Sequence, residues 1–168
     1  VGYLHLRQFI DAALTPEDGF SSLSDATTLF KEASVTDLII DLRYNGGGLL
    51  SVADTMMDLL AGLTATGEAS YKIQVNDQHP EFNDDEDNWG LFDELPETFS
   101  PIRIAFITSR ATASASELII NGLDPHIEAV MVGANTFGKQ VGQGRWDMHE
   151  GVEGLEREDC DVALRLTA

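Results

Sequence analysis

The feature that most limits how this chain can fold is a plan it uses twice: a short apolar run enters a turn of small residues, and the turn opens a helix. In the first copy, residues 37–42 (DLIIDL) have the apolar character of a strand buried in a parallel sheet. Residues 43–48 (RYNGGG) make the turn, and the spacing of Val52, Met56, Leu59 and Leu60 predicts a helix over 51–61. Ser51 with Asp54 resembles a capping pair, and Gly62 suits a helix stop. In the second copy, 102–108 (IRIAFIT) is the strand, 109–113 the turn and 114–123 the helix. Ala115, Leu118, Ile119 and Gly122 share one face of that helix, small enough in part for close approach to a sheet.

Around these copies the pattern predicts a strand over 2–9, a helix over 24–33 (Ala26, Leu29, Phe30, Ala33), strands over 71–75 and 127–132, and strands with turns over 143–168. Strands alternating with helices indicate an α/β domain built from parallel βαβ units. A length of 168 residues suits one core, so residues 1–168 are expected to form one domain. In such a sheet ligands collect outside the carboxyl ends of the strands, where both turns should open.

The balance of 29 acidic against 10 basic residues gives a net charge of −19, a field that repels nucleic acid and anionic membranes. Nucleic acid is therefore not an expected partner. Glu81, Asp84, Asp85, Glu86, Asp87, Asp93, Glu94 and Glu97 form a stretch without Lys or Arg, expected to be a solvated loop lying beside the site as a lid. Asp85, Asp87 and Gly90 miss the ligand spacing of a calcium loop. The lone Cys160 permits no internal disulfide. No apolar run is long enough to cross a bilayer, and the start at Val1 reads as that of a piece cut from a longer precursor.

Amide hydrolysis by a serine needs a nucleophilic oxygen, a base for its proton, and N–H groups that hold the developing oxyanion. Ser114 stands at a helix start, where the next amides, beginning with Ala115, lack intrahelical partners and the helix dipole favours negative charge. Gly46, Gly47 and Gly48 offer unobstructed N–H groups from the opposite turn. The bland alternative is that Ser114 and Glu117 are simply a capping box, S-x-x-E. Lys139, just beyond the strand that follows the second helix, can return to the same sheet edge. A lysine acts as a base once burial draws its pKa from roughly 10.4 toward neutrality, and Phe137 is placed to supply part of an apolar pocket. A surface lysine is the alternative there.

The stretches 41–48 (DLRYNGGG), 112–117 (TASASE) and 136–139 (TFGK) resemble, in order and spacing, the three signatures of the C-terminal processing, or tail-specific, serine peptidases of the S41 type. The first strand and the closing ALRLTA resemble that family's domain edges. The resemblance implies a crotonase/ClpP-like sheet and a Ser/Lys dyad. Ser114 would be the nucleophile, Lys139 its general base, Gln143 the residue orienting the lysine, and the N–H groups of Gly47 and Ala115 the oxyanion hole. Ser116 is then a helix residue. It further implies protein or peptide substrates cleaved near their C-termini through an acyl-enzyme, no metal and no cofactor, and a place outside the cytoplasm in the bacterial periplasm or envelope.

Departures from the family pattern are Gly46 where proline is common, Gln140 where glycine is, and Pro125 where some members have an aspartate, with Asp124 one residue short. The PDZ module with which many members capture a substrate tail is not present in this chain.

Three other readings compete. Residues 133–139 fit the start of a phosphate-binding loop, G-x-x-x-x-G-K, but Gln140 stands where Ser or Thr should hold magnesium and a poor helix start follows. His5, His79, His126 and His149 could in principle serve a triad, yet none lies in a motif with Ser114. A non-catalytic module of the same fold, binding peptides or small apolar ligands, is the third.

Overall fold

The computed structural model describes residues 1–13, 22–74, 80, 83, 88–147 and 163–167, with backbone alone for residues 12, 144–147 and 163–167. Four strands, β1 (Gly2–His5), β2 (Asp37–Asp41), β5 (Arg103–Thr108) and β6 (Glu128–Gly133), form a wholly parallel sheet in the order β1-β2-β5-β6. The helices are α1 (Leu23–Glu32), α2 (Leu50–Ala65) and α3 (Ala115–Leu123). The strand pair β3 (Ala69–Lys72) and β4 (Trp89–Leu91) is antiparallel, as is the pair β7 (Gln143–Asp147) and β8 (Ala163–Thr167).

The core forms where the alternating side chains of the sheet meet the helix stripes. Leu38, Ile40, Ile104 and Phe106 are buried together with Val52, Met56, Leu59 and Leu60 of α2 and Ile119 and Leu123 of α3. The next row, Tyr3, Ile39, Ala105 and Val130, lies in register across the other face. Its two ends, Tyr3 and Val130, are 55% and 53% exposed. A parallel sheet usually has both faces covered; among the described residues one face is covered by helices, while on the other Tyr3 and Val130 are exposed and Ile39 and Ala105 partly so.

Element boundaries follow capping and tertiary contact more than propensity. Ser22 and Asp25 exchange hydrogen bonds in a capping box, so α1 starts ahead of the expected 24. In α2, Leu49 is the N-cap and makes no side-chain cap bond, so the Ser51–Asp54 pair is not the start signal. Gly62 does not stop α2 either. The segment 92–99 crosses the helix there, and a Cβ on Gly62 would run into the Asp93 carbonyl oxygen. The crossing is pinned by Asp93 N–H to Asp58 Oδ1 (2.9 Å), Thr98 Oγ1 to the Asp58 carbonyl (3.1 Å) and Phe99 N–H to the Leu59 carbonyl (3.0 Å).

β1 ends at His5, short of the expected residue 9, and Phe9 makes a lone bridge to Gly48. β4 falls inside the stretch expected to be only loop, because three residues become a strand through pairing with β3. Glu81, residues 84–87, His79, His149 and Cys160 lie outside the described residues, and with them part of the expected acidic lid, whereas Asp93, Glu94 and Glu97 of that stretch lie on the segment that crosses α2.

Candidate active site

Because β2 and β5 are adjacent and in register from Asp37–Arg103 to Asp41–Ile107, their turns leave the same end of the sheet side by side. The glycine turn is anchored at its base by buried Asp41. That carboxylate accepts hydrogen bonds from Arg43 Nη2 (2.7 Å), Nε and N–H and from the Tyr3 hydroxyl (2.8 Å). The Arg43 hydrogen bonds hold Asp41 well below the usual carboxylate range against the opposing effect of burial.

Side chains of the second turn and of the first turn of α3 then fasten the two turns together. The Ser109 hydroxyl donates to the Arg43 carbonyl, Thr112 Oγ1 to the Leu42 carbonyl (2.7 Å) and Ser116 Oγ to the Asn45 carbonyl (3.0 Å). Ser116 is thus fully buried and spent on structure, in keeping with its expected place as a helix residue.

Ser114 is the N-cap of α3, with φ 58° and ψ −119°. A positive φ is costly for any residue with a Cβ, and such strain concentrates where a nucleophile is held on a sharp strand-to-helix turn. Gly47, at φ +101°, lies directly against it. A Cβ on Gly47 would sit 2.8 Å from Ser114 Cβ, 2.9 Å from the Ala113 carbonyl oxygen and 3.0 Å from the Ala115 nitrogen. No other residue type fits there. The expected trio of Gly47, Ser114 and Ala115 is therefore contiguous. The Gly47 N–H itself is bonded to Asn45 Oδ1 at 2.9 Å.

The Lys139 loop returns to the same place through backbone bonds. Ala134 N–H reaches the Thr108 carbonyl (3.2 Å), and Phe137 N–H reaches the Thr112 carbonyl (2.8 Å). Gly138 N–H binds Glu117 Oε1 (2.6 Å) and Lys139 N–H binds Glu117 Oε2 (2.8 Å). The second of these oxygens also accepts the Ser114 N–H (2.9 Å). The backbone nitrogens of Ser114 and Lys139 are therefore no farther apart than the sum of two hydrogen bonds. Lys139 is half-buried, and among the described residues no carboxylate forms a salt bridge with its amine. Gln143, four positions on, is exposed and opens β7.

Glu117 is the residue whose reach the sequence concealed. S-x-x-E signals a capping box and nothing more, yet here the Glu117 N–H goes to the Ser114 carbonyl oxygen (2.8 Å). Its carboxylate serves the Ser114 amide and the loop carrying Lys139 together. Burial works to raise its pKa, but hydrogen bonds from Thr136, Gly138, Ser114 and Lys139 outweigh burial and lower it.

The other candidates are placed elsewhere or contradicted. His126 lies 3.7 Å from Glu68 and edge-on to Phe92, and Asp124 caps the C-terminal end of α3, opposite Ser114. The phosphate-loop reading of 133–139 meets two obstacles. The Gly138 and Lys139 N–H groups already hold a carboxylate, and the chain runs on through irregular backbone into β7 with no helix.

Residues 1–157 match the model of peptidase family S41. A carboxyl-terminal-processing protease of Synechocystis sp. is 26% identical over 151 residues, which are 90% of this chain and 31% of that protein. A tail-specific protease of Haemophilus influenzae is 33% identical over 102 residues, covering 61% of this chain and 13% of that one. Among solved structures, a protein from Bacteroides fragilis described as an S41 protease is 25% identical with a TM-score of 0.70, over 86% of this chain and 37% of its own. The photosystem II D1 C-terminal processing protease, 20% identical with a TM-score of 0.60 over 86% and 33%, shares the fold. The chain spans about a third of the length of the carboxyl-terminal-processing proteases it matches. From the three motifs, their meeting at one sheet edge and a family match running nearly end to end, it follows that this chain belongs to peptidase family S41.

Proposed function

We propose that the chain is the catalytic domain of a serine endopeptidase that cleaves proteins near their C-termini through a Ser114/Lys139 dyad, on a crotonase/ClpP-like sheet. The observation that carries this reading is the contact of Gly47 with Ser114 at the start of α3, where φ is positive and the Ala115 amide, the first of the helix, has no intrahelical partner. Ser114 Oγ attacks the scissile carbonyl as the Lys139 amine takes the hydroxyl proton, and that proton passes to the leaving amine. An ester to Ser114 remains. Water, deprotonated by the same lysine, then hydrolyses the ester and frees the serine. Gln143 orients the lysine, and the N–H groups of Ala115 and Gly47 hold the oxyanion, each such donor contributing on the order of 100-fold or more. For Gly47 this means exchanging Asn45 Oδ1 for the substrate oxygen.

Substrates are protein or peptide tails, as the names of the Synechocystis and Haemophilus relatives suggest, and the same likeness favours a place in the bacterial envelope or periplasm. Among the described residues no helix is long and apolar enough to cross a membrane. A second reading, a module that binds peptides without cleaving them, draws on the engaged Gly47 N–H.

A fluorophosphonate probe and an unstructured test peptide separate the two. The parent should label and cleave, Ser114→Ala should do neither, and Lys139→Ala should lose both by roughly 1,000-fold or more. Cleavage by Ser114→Ala at the parent rate would end the peptidase reading, and a parent that neither labels nor cleaves would favour the binding module.

A further inference from the structure

We infer that Glu117 is a positioning residue that sets the separation of nucleophile and base, because one carboxylate is bonded at once to the backbone of Ser114 and to the backbone of Lys139. The inference rests on the dyad proposed above. In an ordinary capping box the acidic side chain serves one amide, that of the N-cap. Here it serves three: Ser114 N–H and Lys139 N–H on Oε2, and Gly138 N–H on Oε1. Two of these come from a loop 21 and 22 residues further along the chain. Successive N–H groups converging on one anion form a backbone nest, and the anion itself sits on the positive end of α3. The Thr136 side chain adds a fourth bond, and together these bonds lower the carboxyl pKa despite burial, so the clamp is charged in ordinary buffers.

The consequences are specific to geometry. A glutamine at 117 keeps one acceptor oxygen and turns an NH2 group toward an N–H that has lost its partner. An aspartate keeps the charge but is one methylene too short to reach both the helix start and the loop. Either change frees the lysine loop to drift, and displacement of a reacting group by about 1 Å can cost on the order of 100-fold in rate. Substrate binding, which draws on other surfaces, should be little changed.

The test compares the full-length parent chain with Glu117→Gln and Glu117→Asp in two measurements. In hydrolysis of an unstructured peptide, Glu117→Gln is expected to lower kcat by about 100-fold with KM within about threefold of the parent. In amide hydrogen exchange, Gly138 and Lys139 should be protected in the parent and exchange at least about tenfold faster in both variants. Should Glu117→Gln fail to fold, Glu117→Asp carries both measurements. A kcat equal to the parent's, or unchanged protection of both amides in a folded variant, overturns the inference. The exchange measurement needs no turnover. If the parent shows no Ser114-dependent hydrolysis, the peptidase reading falls, while protection of Gly138 and Lys139 that depends on Glu117 still upholds the clamp.

Discussion

Asn45 shows how one buried amide can tie distant parts of a site together. Its Nδ2 donates to the Leu6 carbonyl (3.0 Å), its Oδ1 accepts the Gly47 N–H (2.9 Å), and its own carbonyl takes Ser116 Oγ and the Ala113 N–H. Replacing it with aspartate changes almost no volume but faces a carboxylate oxygen toward the Leu6 carbonyl oxygen, with no donor between them. Asn45→Asp is expected to cost on the order of 2–4 kcal/mol, read as a lower urea midpoint with unchanged slope, and a midpoint equal to the parent's would refute the assignment. The loss should shrink in acid, where a protonated carboxyl can again donate to Leu6. An asparagine in a glycine-rich turn is legible in the sequence as a turn residue. Its bond to Leu6, 39 positions away, is not, since it arises only when β1 and β2 lie side by side.

At the scale of elements, α2 and the segment that crosses it form a unit with its own pH dependence. Burial, aided by the neighbouring charges of Asp54 and Asp93, pushes Asp58 up to about 6, against the hydrogen bond from the Asp93 N–H. Its pKa in the folded chain thus exceeds the unfolded value of about 3.8. Between those two values the folded state holds a proton that the unfolded state has released, so this group's contribution to stability falls as pH rises from about 4 to about 6. Asp58→Asn keeps an acceptor for Asp93 and removes the titration. Relative to the parent, its melting temperature should therefore gain as pH goes from 4 to 7, and a constant difference across that range would count against the assignment. The expected 51–61 helix had the right stripe, and Val52, Met56, Leu59 and Leu60 are all buried. Its end was misplaced because Gly62 is needed for the backbone crossing over it and not as a terminator.

For the whole molecule, charge and topology dominate. A net charge of −19 attracts basic chains and repels acidic ones over roughly a Debye length. On the peptidase reading, a basic unstructured peptide should show kcat/KM about tenfold above an acidic one of equal length at low salt, converging near 1 M. Equal values at low salt would show that the field does not reach the site.

Much of this architecture was open to reading from the residues alone: the four parallel strands and the three helices, with only the ends of β1 and α2 well displaced, both turns at one sheet edge, and the motifs around Ser114 and Lys139. Periodicity, turn chemistry and motif spacing are local, acting over a few residues, and they survive whatever the rest of the chain does. What the tertiary structure decided is which atoms meet. The short strand Trp89–Leu91 exists because β3 pairs with it. Glu117 reaches Gly138 and Lys139 because β5, α3 and β6 bring the loop back over the helix start. A capping signal is satisfied by one amide and is silent about the acceptor capacity left on a carboxylate, which only folding in three dimensions assigns.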